Sequence, residues 1–162
     1  MNISPTQDYL KSLFKYKDGE LFWKVAKQKI KIGNKAGGLK GDGRYYTKIN
    51  GKLYQNSRLI FLYYYGWLPK KVDHIDNNKL NNRLENLRPA TSSQNSHNAK
   101  KRIDSTSGCK NVTWHKTAKK WQVRVCIDYK RIHLGCFDDL ELADLVAQEA
   151  RNKYHGNFAR HE

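Results

Sequence analysis

The chain has 162 residues, with 31 Lys and Arg against 15 Asp and Glu, for a formal net charge of +16. Hydrophobic residues at 38% and aromatics at 12% exclude a disordered polybasic tail, and no apolar run reaches the ~18 residues of a membrane span. The charge excess points to an anionic partner, nucleic acid first.

The opening Met1-Asn2-Ile3-Ser4-Pro5 lacks the basic-then-apolar order of a signal peptide. Cys109, Cys126 and Cys136 are odd in number and lack CxxC spacing, which fits reduced cytosolic thiols rather than a disulfide framework or a zinc knuckle. Net charge is +10 over residues 1–70, +4 over 71–103, +5 over 104–134 and −3 over 135–162. The anion-binding surface is therefore expected before residue 135.

In chain order, Ser4-Pro5-Thr6-Gln7 reads as a helix start with a capping box, and a helix is expected to about Tyr16. Asp18-Gly19 is a hairpin turn followed by the strand Glu20 to Val25. Residues 26–44 read as an exposed Lys/Gly loop. Gly33 to Gly38 has phosphate-loop spacing, but Leu39-Lys40 stands where Lys-Ser/Thr is needed, so nucleotide binding is rejected. Tyr45 to Tyr54 forms a second hairpin on Asn50-Gly51. Ser57 caps a helix from Arg58 to Tyr65 that Gly66 ends. Its aromatics, Phe61, Tyr63, Tyr64 and Tyr65, are read as packing on the hairpin rather than stacking on bases.

A strand at 71–75, an Asn-rich loop from Asp76 to Glu85, a strand from Asn86 to Pro89 and a helix from Thr91 or Ser92 follow. Residues 100–107 read as a linker. Three strands are expected at Val112–Lys116, Trp121–Ile127 and Arg131–Leu134. Asp138 then caps a helix from Leu140 to about Tyr154, with apolar positions 142, 143, 145, 146, 147 and 150.

The segment Ser92 to Asn98 is almost entirely polar, with weak helix formers and no apolar stripe. A helix of that kind is more economically a platform for binding side chains than a packing element. Asp73 and His74 are adjacent in a strand and so point to opposite faces. One can hold a metal while the other addresses a phosphate.

Asp73-His74, an Asn twelve residues after the His and a further Asn nine residues on resemble the HNH nuclease motif, the ββα-metal finger, in its phage homing endonuclease variant. The resemblance implies His74 as general base, Asn86 as the central Asn that fixes the loop within the catalytic set, and Asp73 and Asn95 as metal ligands. A carboxylate and an amide oxygen suit Mg²⁺ or Mn²⁺ better than zinc. The implied products are a 5′ phosphate and a 3′ hydroxyl. His97 competes as a ligand but lies about 200° around the helix from Asn95. Asn81, Asn82 and Arg83 either stabilise the loop or touch phosphate.

Residues 107–159 resemble the ethylene-response-factor (Apetala-type) DNA-binding domain through Val112-Thr113-Trp114, Trp121 to Val125, Leu134-Gly135-Cys136-Phe137 and Tyr154-His155-Gly156. Strand alternation places Val112, Val123, Val125, Ile132 and Leu134 inward, and Thr113, His115, Arg124, Cys126, Arg131 and His133 outward. Lys110, Thr113, His115, Arg124, Arg131 and His133 are the DNA-binding candidates, with Arg124 and Arg131 as main readers in the major groove. Trp114 and Trp121 are read as packing.

The expectation is an α+β protein: a basic N-terminal module over 1–66, an HNH core over 67–103, and a three-stranded antiparallel sheet on one helix over 104–162. The function read from this is a metal-dependent DNA endonuclease of phage homing type, in the cytoplasm of a host cell. Double-stranded DNA is the partner, with no membrane and no protein partner evident. The alternatives are a non-catalytic DNA-binding regulator with a decayed nuclease core and a structural RNA-binding protein.

Overall fold

A computed structural model describes residues 5–27, 29–101 and 105–161. The fold is α+β, built from small antiparallel sheets and short helices. The chain forms two compact units, Met1–Thr91 and Ser92–Glu162. Positions 66/67 and 103/104, drawn from the sequence as boundaries, each fall inside a unit.

The first unit opens with α1 (Gln7–Leu13), whose N-cap is Thr6, its hydroxyl accepting from the Tyr9 N–H at 3.3 Å. The capping role read for Ser4 lies outside the described residues. The helix stops at Leu13, short of Tyr16, because Phe14–Lys17 is a strand, β1, paired with β2 (Glu20–Trp23). The Asp18-Gly19 turn, with φ of 49° and 84°, decides this, since its twist matches a tight antiparallel ribbon. After the loop comes β3 (Gly38–Leu39), beside β4 (Tyr45–Ile49) and β5 (Lys52–Gln55), which turn on Asn50-Gly51. The loop is less exposed than its composition suggests: Ala36 is buried, and its carbonyl accepts from the Asn56 amide at 2.9 Å.

Helix α2 (Asn56–Tyr65) starts before Ser57 and ends at Gly66, in the left-handed region at φ 73°. Ser57 is buried and makes no cap; Asn56 instead accepts from the Thr47 hydroxyl at 2.7 Å. The core joins Leu10, Leu13, Phe14, Leu21, Trp23, Ile49, Leu59, Ile60, Phe61 and Leu87, with Val72 and Leu84 packed against it. Each fully buried side chain of this size contributes ~1.5–3 kcal/mol. Val72 and Leu87 belong to the hairpin of β6 (Lys71–His74) and β7 (Leu87–Ala90), so this core directly supports it. Phe61 is buried as expected, while Tyr64 and Tyr65 are about half exposed, at 43% and 50%.

The second unit begins with α3 (Ser92–His97) and holds β8 (Val112–His115), β9 (Lys120–Ile127), β10 (Lys130–Phe137) and α4 (Leu140–His155). The sheet order is β10-β9-β8, all antiparallel. Helix α4 is capped by Asp139, not Asp138: its carboxylate accepts from Leu142 N at 2.7 Å. The helix packs through small residues, Ala143 and Ala147 against Val112 and Val123, while Leu142 and Leu145 stay exposed. Trp114 and Trp121 stack edge to face at 4.8 Å. Within the segment read as a linker, Ser107 is buried and donates to the Val112 carbonyl at 2.7 Å; positions 102–104 lie outside the described residues. The three cysteines are free and half-buried. Among the described residues no helix is long and apolar enough to cross a membrane.

Candidate active site

The register of β6 and β7 sets the first arrangement. Asp73 lies across from Arg88 and His74 across from Leu87, so the two candidate residues do lie on opposite faces. Both are buried, Asp73 at 5% and His74 at 7% exposure. Arg88 Nε donates to Asp73 Oδ2 at 2.8 Å, which compensates a carboxylate withdrawn from water. The His74 ring meets the buried Asn82 side chain, Nε2 to Oδ1, at 2.9 Å. An amide oxygen only accepts, so in this contact the ring nitrogen Nε2 is the donor.

The Asn-rich loop between the strands is held by its own amides. Asn86 Oδ1 accepts from Asp76 N at 3.0 Å, and its Nδ2 donates to Asp76 Oδ1 at 2.9 Å and to the Asn81 carbonyl at 2.7 Å. Asn81 donates to Asp76 Oδ2 at 2.7 Å, and the Asn78 N–H to Asp76 Oδ1 at 2.7 Å. Burial pushes the Asp76 carboxyl up, but the bonds from Asn81, Asn78 and Asn86 outweigh it and hold it below the usual carboxylate range. Asp76 thus stays anionic and interacts electrostatically with His74. Asn77, at φ 60°, supplies the left-handed turn residue.

The remaining candidates fall in the second unit. Asn95 sits half-buried on α3, and its amide makes no hydrogen bond among the described residues. His97 stacks on His155 at 3.6 Å and 8°, with Ser93 Oγ 3.3 Å from its Nε2. Its ring is thereby engaged in packing within this unit. Burial lowers the pKa of His97 and of His155 below the ordinary imidazole value, so both are held neutral near pH 7.

On the sheet, register puts Thr113 beside Gln122 and Arg124 beside His133, with Arg131 beside Cys126. Thr113, His115, Arg124, Arg131 and His133 therefore share the face opposite the Val112–Val123 core. Thr113, Arg124 and Arg131 also border a shallow groove of about 290 Å³. Gln122 donates to His133 Nδ1 at 3.1 Å and accepts from Arg124, and His115 Nδ1 accepts from the Ala118 N–H at 3.1 Å. Lys110 is placed differently. Its ammonium donates to the carbonyls of His97 at 2.8 Å and Ala99 at 2.6 Å, at the end of α3. Burial, then the charges of Arg151 and Arg160, lower its pKa to about 8.

A carboxylate such as that of Asp73 and an amide oxygen such as that of Asn95 are the hard donor types that suit a magnesium-like ion; Asp73 belongs to the first unit and Asn95 to the second. Among the described residues no cluster of three or more His, Cys, Asp or Glu offers a softer, all-protein cage. Sequence reasoning missed Arg88 as the partner of Asp73 and left Asn82 without a settled role. The first was recoverable from hairpin register; the second depends on the path of the loop.

Residues 54–97 match a family model described as HNH endonuclease. Protein 3.8 of Escherichia phage T7 is 38% identical over 97 residues, covering 59% of this chain and 79% of the phage protein. No solved structure matches the chain.

Proposed function

This chain belongs to the family of Protein 3.8 of Escherichia phage T7 and carries an HNH endonuclease domain over residues 54–97, and on that premise we propose that it is a metal-dependent endonuclease of double-stranded DNA, of the phage homing type. The observation that carries the reading is His74, buried, with Nε2 engaged by Asn82, on a hairpin clamped by Asn86. His74 takes a proton from the attacking water at Nδ1, and anionic Asp76 stabilises the imidazolium that results. Asp73 and Asn95 are the residues that the HNH resemblance assigns to a divalent ion, which would neutralise charge developing on the scissile phosphate when bound. Arg88 orients Asp73, and Asn86 keeps the loop from shifting His74.

The second unit is read as an ethylene-response-factor-like DNA-binding domain. Its support is the three-stranded sheet on one helix, with Thr113, His115, Arg124, Arg131 and His133 on the open face. Lys110 is left out of the DNA-contacting set, since its ammonium already serves two carbonyls. The protein is placed in the cytoplasm of a phage-infected host cell.

Incubation with supercoiled plasmid tests the reading. Nicked or linear product is expected with Mg²⁺ or Mn²⁺ and none with chelator. Duplex binding without cleavage under any divalent ion would favour the DNA-binding regulator instead.

A further inference from the structure

The N-terminal hairpin, β1 and β2, has no role in the reading above, yet it touches the loop that holds His74. Gly19, at the tip of its turn, lies so close to the backbone of Asn82 and Arg83 that an added Cβ would stand 2.9 Å from Arg83 N and 3.1 Å from the Asn82 carbonyl carbon. Gly19 has φ 84°, so the turn both needs glycine and uses its missing side chain for close approach. Two residues further into this loop, the Leu84 N–H donates to the Tyr16 hydroxyl at 3.2 Å. Tyr16 belongs to β1 and packs against the main core. The segment 82–84 is thus gripped at both ends by one hairpin, and from its start Asn82 reaches His74 Nε2 at 2.9 Å.

We propose that the N-terminal hairpin is a brace that, through Asn82, fixes the orientation and tautomer of His74. The inference rests on His74 being the base for its catalytic part, but the physical hold on the ring is independent of that. Asn82 is a positioning residue: its side chain meets the imidazole, not the substrate. A buried ring with no acceptor at Nε2 is free to carry its proton on Nδ1, the nitrogen that must accept, and is then inert as a base. The brace also explains the glycine. Any side chain at position 19 would push back the Asn82–Arg83 backbone, and with it the acceptor.

The test is carried out on the full chain with histidines labelled in the ring nitrogens. At about pH 8, above the ordinary imidazole range, the His74 nitrogens of the wild type are expected to report the Nε2–H tautomer. Asn82→Leu removes the acceptor at similar volume. It is expected to shift His74 towards Nδ1–H and to lower kcat about 10- to 100-fold, with KM within about twofold, short of the full ~10²–10⁴ loss of a base. Asn82→Asp keeps an oxygen in place and is expected to restore the wild-type tautomer. Gly19→Ala is expected to move the same resonances without touching either side chain, and it carries the test if Asn82→Leu does not fold. A His74 tautomer unchanged in a folded Asn82→Leu or Gly19→Ala variant overturns the brace. A changed tautomer with unchanged kcat supports the brace and removes His74 from the chemistry, so failure of the two readings is separable.

Discussion

Between β6 and β7, both ends of the Asn86 amide are committed to Asp76 and Asn81, and Asn82 to His74. On the sheet of the second unit, Thr113, Arg124 and Arg131 stand exposed on the open face, with Arg124 tied to its neighbour Gln122. Both regions are polar, and both are proposed to meet DNA, but they solve different problems. A base must hold one atom within a fraction of an ångström, so its surroundings are internally satisfied and buried. A phosphate reader gains from long charged side chains that adapt to the duplex, so its surroundings stay open. Substitutions should therefore act on rate in the first region and on affinity and salt dependence in the second.

The largest effect is expected for His74→Ala, which should slow cleavage by ~10²–10⁴-fold while DNA affinity stays within a factor of about two. Plasmid cleavage alongside a gel-shift titration measures both, and near-normal cleavage would remove His74 from the mechanism. Next comes Asn86→Ala. It removes the partner of the part-buried Asp76 N–H and Asn81 carbonyl, each bond contributing ~0.5–1.5 kcal/mol. Thermal unfolding should show the loss, together with a fall in kcat as the loop relaxes. An unchanged melting temperature would mean that water replaces the clamp without cost.

Arg124→Ala with Arg131→Ala should leave turnover on saturating DNA unchanged. It should lower the slope of log affinity against log salt by about 0.9 for each phosphate that the protein no longer neutralises. An unaltered slope would mean that this face does not meet the duplex.

The smallest effect separates the units by pH. Burial depresses the pKa values of His97 and His155, so the unfolded chain takes up protons first. Their contribution to stability is complete above the ordinary imidazole value of 6.5 and is lost as pH falls through their lower folded values. Asp76 is also depressed, but from 3.8, so its contribution persists until far more acid conditions. Hydrogen exchange followed between about pH 7 and 5 should show β9 and α4 losing protection before β6 and β7 do. Loss in the reverse order would contradict this assignment.

Strands and hairpins were legible wherever turn chemistry was explicit. Asp18-Gly19 and Asn50-Gly51 both mark observed turns, and alternation along β8 and β9 sorts the inner from the outer face; Ile132, expected inward, is exposed instead, because β10 is the edge strand and its register shifts between His133 and Gly135. The helix expected through Tyr16 failed because hairpin pairing outweighed local propensity at Phe14 to Lys17. Of the apolar positions expected on α4, Ala143 and Ala147 enter the core while Leu142 and Leu145 stay exposed. Spacing singled out Asp73, His74 and Asn86 as the candidates that the hairpin carries. Asn82 was not singled out, because a contact across eight residues of loop has no period to betray it. The surroundings of Lys110 were hidden for a related reason: charge alone does not say that its ammonium donates to two carbonyls at the end of α3.

The loop from Asp76 to Asn86 is made rigid with asparagines at 77, 78, 81, 82 and 86. Aspartates would form comparable turns and accept similar hydrogen bonds. Five of them, however, would turn the +4 of residues 71–103 negative, beside the place where DNA is proposed to bind. Neutral amides let the loop be stiff without repelling the backbone it is proposed to cut. The carboxylate at the head of the loop, Asp76, accepts from three donors and interacts electrostatically with the histidine. Rigidity and electrostatic welcome, which compete in a carboxylate-built loop, are here obtained together.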